Sequence, residues 1–427
     1  MINKIKGLFN TEDKKRLLSN FLSLSILQGA NYILPLITLP YLVRVLGPEK
    51  FGLIMFAQAF IQYFVILTDY GFNLSATREI SIHRENKEKI SEIFSSVMII
   101  KFSLLVISFI ILTLIVFSFE KFRKDWLVYY LTFGMVVGQV LFPIWFFQGI
   151  EKMKYITFLN ILAKTIFTVA IFIFVHQVSD YIYVPLLNSL GFIIAGILAL
   201  WIVFKDFGIN FSKVPFESLI NKLKEGWHVF ISTIGINLYR NANVFILGIV
   251  TNEKVVGYYA IAEKILKAIQ SLQNPLGQAL FPFFSKKFKS LSNKQSVEII
   301  IKFSKLAFSV YFIISIFIFL FAEPIIKIIT GSYLYNSILD LKVLSFIIVI
   351  GGMNYFFGVL GLLTLGKNKL FMKGVFLGGM LNIPISLILS ITFKDLGASF
   401  SLLLSELIIL VLFVRFTYLL RKESLER

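Results

Sequence analysis

The sequence predicts an all-α polytopic membrane protein of about 12 transmembrane helices in two six-helix lobes, and three observations carry that reading. Of the 427 residues 57% are hydrophobic and 15% charged, with a mean hydropathy of +0.82; an ordinary soluble domain carries about 25% charged residues. The apolar residues are gathered into long blocks, and a helix rising about 1.5 Å per residue needs roughly 20 of them to cross a hydrocarbon core of about 30 Å. A membrane barrel would instead alternate apolar and polar residues along each strand, and no such alternation runs through the blocks.

Twelve blocks are expected, at about 17–43, 52–72, 91–117, 126–147, 156–175, 181–204, 226–249, 256–282, 306–329, 343–365, 370–391 and 396–419. The stretch before the first, "MINKIKGLFNTEDKKRLLSN", is basic. The block behind it is too long for a signal peptide and lacks a small-residue cleavage site, so it should remain as the first span. Cysteine is absent, which excludes disulfides and thiolate chemistry, and the three histidines fall in different segments. Neither a metal nor a cofactor is expected.

Short matches at corresponding places divide the chain. "LTFGMVVG" (131–138) resembles "LSFIIVIG" (344–351), each opening the fourth span of a set of six. "GPEKFG" (47–52) and "TNEKVVG" (251–257) each lie between the first and second spans of a set, with one residue inserted. The expected organisation is a cytoplasmic segment 1–16, an N-lobe 17–204, a cytoplasmic linker 205–225, a C-lobe 226–419 and a tail 420–427. Such repeats are a common transporter plan that places substrate between them.

The net charge of +18 would suit nucleic acid or anionic lipid, and its placement decides between them. With spans assigned alternately and residues near a block's end counted with the adjoining loop, 28 of the 42 Lys and Arg fall on one side, 9 on the other and 5 deep within spans. By the positive-inside rule both termini are cytoplasmic, most of the basicity sets topology, and no nucleic-acid partner is expected.

Polar residues inside the spans form stripes. At about 100° per residue, Gln58, Gln62, Asp69 and Asn73 share one arc of the second span. Glu263, Lys267, Gln270 and Asn274 do so in the eighth, and Thr157, Asn160, Lys164 and Thr168 in the fifth. The first span carries Asn20, Gln28, Asn31, Pro35 and Thr38 on one side. A bundle around a water-filled cavity would account for all four stripes; helix-packing hydrogen bonds are the plainer account.

A lone Lys or Arg at mid-membrane costs about 2.5 to 3.5 kcal/mol, so Lys101, Lys164 and Arg240 should face the protein interior. With Lys264 and Lys267 they outnumber Asp69, Glu263 and Glu406, an interior that favours an anionic ligand. Structural readings stand beside this one. Glu263 and Lys267 have the i,i+4 spacing of a neutralising pair, Asp69 before Gly71 suits a helix end, Lys101 could snorkel, and Arg240 could bridge two helices.

"LPLITLPYLVRVLGPEKFG" together with "TDYGFNLSATREIS" resembles the opening of O-antigen flippases of the polysaccharide transporter family. That family lies in the superfamily that also holds the multidrug and toxin extrusion (MATE) antiporters and the lipid II flippase. The resemblance implies a two-lobed, MATE-like bundle in the bacterial inner membrane. Its expected substrate is undecaprenyl-diphosphate-linked oligosaccharide, carried to the periplasmic leaflet by alternating access, with contacts to membrane lipid and to the polysaccharide assembly machinery. Arg44, Arg78, Lys101, Lys164, Arg240 and Lys264 would then hold the diphosphate, and Asp69 or Glu406 a coupling proton or sodium ion. The alternatives are a multidrug-type cation antiporter of the same architecture and a membrane polymerase or glycosyltransferase. The first would want a predominantly acidic interior, the second larger external loops; no enzymatic activity is expected.

Reporter fusions test the topology. Fusions at Lys87, Lys213, Lys289 and Lys422 should read cytoplasmic, and those at Lys124, Asp180 and Asp395 periplasmic. Reversal at either end of the linker would refute the two six-helix halves.

Overall fold

The computed structural model describes residues 12–423; within its helices the side chains at 12–18, 21, 32, 228, 229, 232–241, 274–276, 278, 279, 422 and 423 lie outside the description. The described elements are helical: α1 Glu12–Asp69, α2 Phe72–Ile82, α3 Lys87–Ser118, α4 Glu120–Arg123, α5 Trp126–Leu141, α6 Ile144–Gly149, α7 Met153–Phe174, a 3₁₀ turn Val178–Ile182, and α8 Tyr183–Lys205. After an irregular linker come α9 Phe216–Val250, α10 Glu253–Ser271, α11 Gln273–Phe288, α12 Asn293–Leu320, α13 Ala322–Thr330, α14 Tyr335–Asn354, a π-helical stretch Tyr355–Leu363, and α15 Asn368–Glu423.

Eight runs among the described residues are long and apolar enough to cross a membrane. Two of them, in α1 and α15, each join two of the expected blocks across a single non-helical residue, Gly47 and Lys394. The expected seventh and eighth spans correspond to α9 and to α10 with α11. An all-helical chain of about 12 spans accounts for this arrangement.

The helix boundaries follow from local chemistry. Gly47 adopts φ 71°, ψ 171°, a conformation open essentially to glycine, and Pro48 behind it suits the first turn of the next helix. Side-chain caps begin α3 and α10: Asn86 accepts from Lys89 N at 2.9 Å and Asn252 from Val255 N at 3.1 Å. A reciprocal Ser292–Gln295 capping box begins α12.

Several expected spans are interrupted. The fourth breaks into α5 and α6 at Pro143. The eighth breaks at Leu272, where Pro275 has no N–H to give the Ser271 carbonyl. The tenth ends as a π-helix, and the polar linker is helical again from Phe216.

Contacts divide the chain into two compact units, residues up to 38 with 60–234, and 39–59 with 235 onward. In the first unit α5 and α8 approach closely through small residues: a Cβ on Gly138 would strike the Phe192 backbone, and one on Gly196 would meet Gly138 O at 2.8 Å. Phe94, Trp145, Phe146 and Phe147 fill the core beside them. The linker is tied to α3 by Ser212 N donating to Ser95 Oγ at 2.9 Å.

In the second unit the two matching loops meet each other. A Cβ on Gly52 would overlap Glu253 O and come within 2.9 Å of Gly257 Cα, while a Cβ on Gly257 would overlap Pro48 O. Each glycine thus seats on the backbone of the residue four ahead of its counterpart, a reciprocal contact with no room for a side chain.

Gly52→Ala and Gly257→Ala should each destabilise the purified protein by about 1 to 3 kcal/mol through overpacking. Gly29→Ala, which meets nothing within 4 Å, should be neutral or stabilising by up to about 1 kcal/mol. Thermal unfolding in detergent checks the contrast.

Candidate functional site: polar and charged groups within the spans

In the first unit the segment "TDYGFN" is a helix break. Tyr70 takes φ 48° and Gly71 φ 76°, ending α1 and starting α2. The break is held from the linker side: Tyr70 Oη donates to Leu223 O at 3.2 Å, its ring stacks on Phe230 with centroids 4.5 Å apart, and Gly226 leaves space against the ring. Asp69, at the end of α1, accepts a hydrogen bond from the Gly71 backbone and faces Lys101 of α3, with Nζ and Oδ1 4.0 Å apart. The Lys101 side chain is 4% exposed and that of Asp69 20%. Lys101 therefore does not snorkel; its charge is met within the protein.

The stripes on the first and fifth spans face each other. Lys164 Nζ donates to Asn31 Oδ1 at 2.6 Å, Thr157 Oγ1 to Ser23 O at 2.8 Å, and Met153 N to Asn20 Oδ1 at 3.3 Å. Both stripes serve at least in part as the seam between α1 and α7.

On α2, Thr77 Oγ1 donates to Trp145 O at 3.2 Å, and in the turn after it Arg84 pairs with Glu151 at 2.7 Å, which fastens α2 to the segment around α6. Arg78 is exposed on the same helix and lines a cavity of about 580 Å³ with Glu79, Lys222 and Glu225 above an apolar floor that includes Phe72 and Val97. Lys222 Nζ bonds both Glu79 carboxylate oxygens, at 2.8 and 2.5 Å.

The second unit holds the other candidates. Arg44 donates to Ile328 O, and to Ile329 O at 3.2 Å, so it caps the C-terminus of α13, where Gly331 takes the left-handed conformation. Glu406 accepts from Asn354 Nδ2 at 2.6 Å at the junction of α14 with the π-helix. Glu263 pairs with Lys267 at 3.0 Å, as their spacing suggests, and Lys264 is partly buried beside them. The side chain of Arg240, with those of Asn237 and Asn241, lies outside the described residues.

A further network was not legible in the sequence. Asn382 Nδ2 donates to Asn243 Oδ1 at 2.9 Å and Ser405 Oγ to Asn382 Oδ1 at 2.8 Å, while Asn243 Nδ2 reaches Tyr259 Oη at 3.4 Å. Its serines hardly lower the hydropathy of α15, and only the four-residue spacing of Ser401 and Ser405 hints at a shared face.

Breaking the Asp69–Lys101 pair should cost stability. Asp69→Ala leaves Lys101 buried beside nothing and should destabilise by up to about 3 kcal/mol, whereas Asp69→Asn with Lys101→Met should recover most of that loss. Membrane abundance and thermal unfolding of the three proteins provide the check.

Comparison with known proteins follows the same lines. Residues 17–288 match the family model described as polysaccharide biosynthesis protein. A candidate O-antigen transporter of Escherichia coli is 34% identical over 405 residues, covering 95% of this chain and 97% of that protein. Among solved structures, an inward-facing multidrug resistance MATE family transporter of the MOP superfamily superposes with a TM-score of 0.69 at 16% identity, over 95% of this chain and 99% of its own. The lipid II flippase MurJ in an inward closed conformation also gives 0.69, at 11% identity, over 96% and 91%. These likenesses show a shared fold. The chain therefore belongs to the polysaccharide biosynthesis protein family, built on the helical membrane fold of the MATE and MurJ transporters.

Proposed function

We propose that this protein is a flippase that moves undecaprenyl-diphosphate-linked oligosaccharide, an O-antigen or related repeat unit, across the bacterial inner membrane by alternating access. The observation that carries this reading is the 34% identity to a candidate O-antigen transporter along nearly the whole of both chains. The chemistry agrees with it. A diphosphate is bound by Lys and Arg through charge-assisted hydrogen bonds, sugars by amides and hydroxyls, and the polyprenyl tail can stay in lipid while the head group crosses.

Within this proposal Arg78 is the first contact for the diphosphate, because it is exposed beside a cavity and not committed to a helix terminus as Arg44 is. Lys101, Lys164, Arg240 and Lys264 remain further candidates for the diphosphate on the sequence argument alone. Coupling to a proton or sodium ion through Asp69 or Glu406, cytoplasmic termini, and contact with polysaccharide assembly machinery belong to the same proposal.

The fold alone would suit a multidrug antiporter equally well. Asp69 and Glu263, two of the acids that such a reading would use for a cationic drug, are each paired with a lysine, which favours an anionic cargo. A polymerase or glycosyltransferase would act on the external face, and the connection between α3 and α5, external in the proposed topology, amounts to the single turn of α4.

Loss of the protein should strand completed lipid-linked repeat units on the cytoplasmic leaflet, scored by their inaccessibility to an external glycosidase in spheroplasts. Wild-type protein should restore surface polysaccharide, and Arg78→Lys should restore it in part. Arg78→Ala should cut the rate roughly ten- to a hundredfold at unchanged abundance, in line with about 1.5 to 3 kcal/mol for a hydrogen bond to a charged group. Single repeat units on the outer surface would point to a polymerase, and a normal Arg78→Ala strain would remove Arg78 from the path.

A further inference from the structure

Two carboxyl groups that none of the sites above uses are buried against each other in the second unit. Asp340 lies in the second turn of α14 and is 0% exposed. Asp395 follows the break at Lys394 in α15 and is 2% exposed. The break folds α15 into a tight hairpin, since a Cβ on Gly397 would overlap the Leu389 carbonyl.

Each carboxyl receives one donor on its flank. Ser399 Oγ donates to Asp340 Oδ1 at 2.7 Å, and Asn336 Nδ2 donates to Asp395 Oδ2 at 2.8 Å. Between them the two carboxyls stand within hydrogen-bonding reach of each other. Asp340 Oδ2 is fully buried and has no donor from any other residue. Two ionised carboxylates are acceptors only, so they cannot satisfy one another, and like charges at this separation in a buried site cannot both persist.

The described residues supply no matching positive charge. Among the described residues no Lys or Arg forms an ion pair with either acid, and Lys394, the chain neighbour of Asp395, is exposed. Among the described residues Tyr259 of α10 also faces Asp340 and lies within range of its charge. The Tyr259 hydroxyl donates to Glu263 Oε1 at 3.4 Å, and Glu263 is already matched by Lys267.

A single proton between the carboxyls resolves the orphaned oxygen and the excess charge together. We propose that Asp340 and Asp395 form a proton-binding site that holds one shared proton and thereby pins the α15 hairpin to α14. The flanking groups are an amide N–H and a hydroxyl donating inward, an arrangement that suits carboxyls sharing a proton better than a metal ion, which needs acceptors around it. The assignment is independent of the cargo, since it concerns the protonation of the protein itself.

Infrared spectroscopy of the full-length protein in lipid nanodiscs tests it. At neutral pH the wild type should show the C=O band of one protonated, solvent-shielded carboxyl. That band should vanish in both Asp340→Asn and Asp395→Asn, because each leaves one carboxylate that accepts from the new amide. The same site predicts the sign of a pH effect. A carboxyl that holds its proton longer folded than unfolded contributes stability at low pH that is lost as pH rises, so the wild-type Tm should fall by several degrees as the shared proton leaves. Over that range the Tm of either Asn variant should stay flat. The wild-type spectrum needs no variant, so a variant that fails to accumulate leaves the test standing. Absence of the band in the wild type, its survival at full amplitude in both variants, or a Tm that follows sodium against choline in place of pH would overturn the proposal.

Discussion

An ion carried among membrane helices must find its counter-group inside the protein, and in this chain that requirement accounts for much of how helices are joined within each unit. Lys101 reaches Asp69 from another helix, Lys164 reaches Asn31, and Arg44 reaches the carbonyls that end α13. Each pairing links segments far apart in sequence. A charge left to lipid would cost a few kcal/mol, comparable with a large part of a protein's net stability, so these contacts also restrict which helices can be neighbours.

Glycine supplies the complementary device. Lipid is as apolar as leucine, so helix association in a membrane depends on close packing and internal hydrogen bonds more than on excluding water. The contacts of Gly138 and Gly196 between α5 and α8, and of Gly52 and Gly257 between the two matching loops, bring backbone against backbone. Polar seams then settle register: Thr157 and Lys164 are one helical face of α7, and their partners Ser23 and Asn31 are one face of α1.

These two devices bear on transport in different ways. Groups locked into seams or caps are poorly placed to release and rebind a cargo, which is why Arg44 reads as scaffold while Arg78, beside an open cavity, reads as a point of contact. A titratable pair such as Asp340 and Asp395 is of another kind, because its attraction depends on one proton. Changing that proton alters how firmly a helical hairpin is held without breaking any apolar contact.

The sequence alone determined what depends on local composition. Block length and hydropathy imply spanning helices, Lys and Arg placement gives an expected topology, and the match of "GPEKFG" to "TNEKVVG" marks two similar loops that the structure brings together. Helical phase located the stripes, and i,i+4 spacing identified the Glu263–Lys267 pair correctly. What it could not decide was the partner across space. Phase says which residues share a face but not what the face meets, so for the stripes of the first and fifth spans a wet cavity and a packing seam both stood open, and the structure joins them by hydrogen bonds. Asp340 and Asp395 stand at the ends of apolar blocks, where a carboxylate ordinarily meets water, and nothing in their neighbours signals burial. Only the tertiary structure, by folding the α15 hairpin onto α14, turns two unremarked acids into a facing pair, because burial and proximity are properties of the packed chain and not of its order.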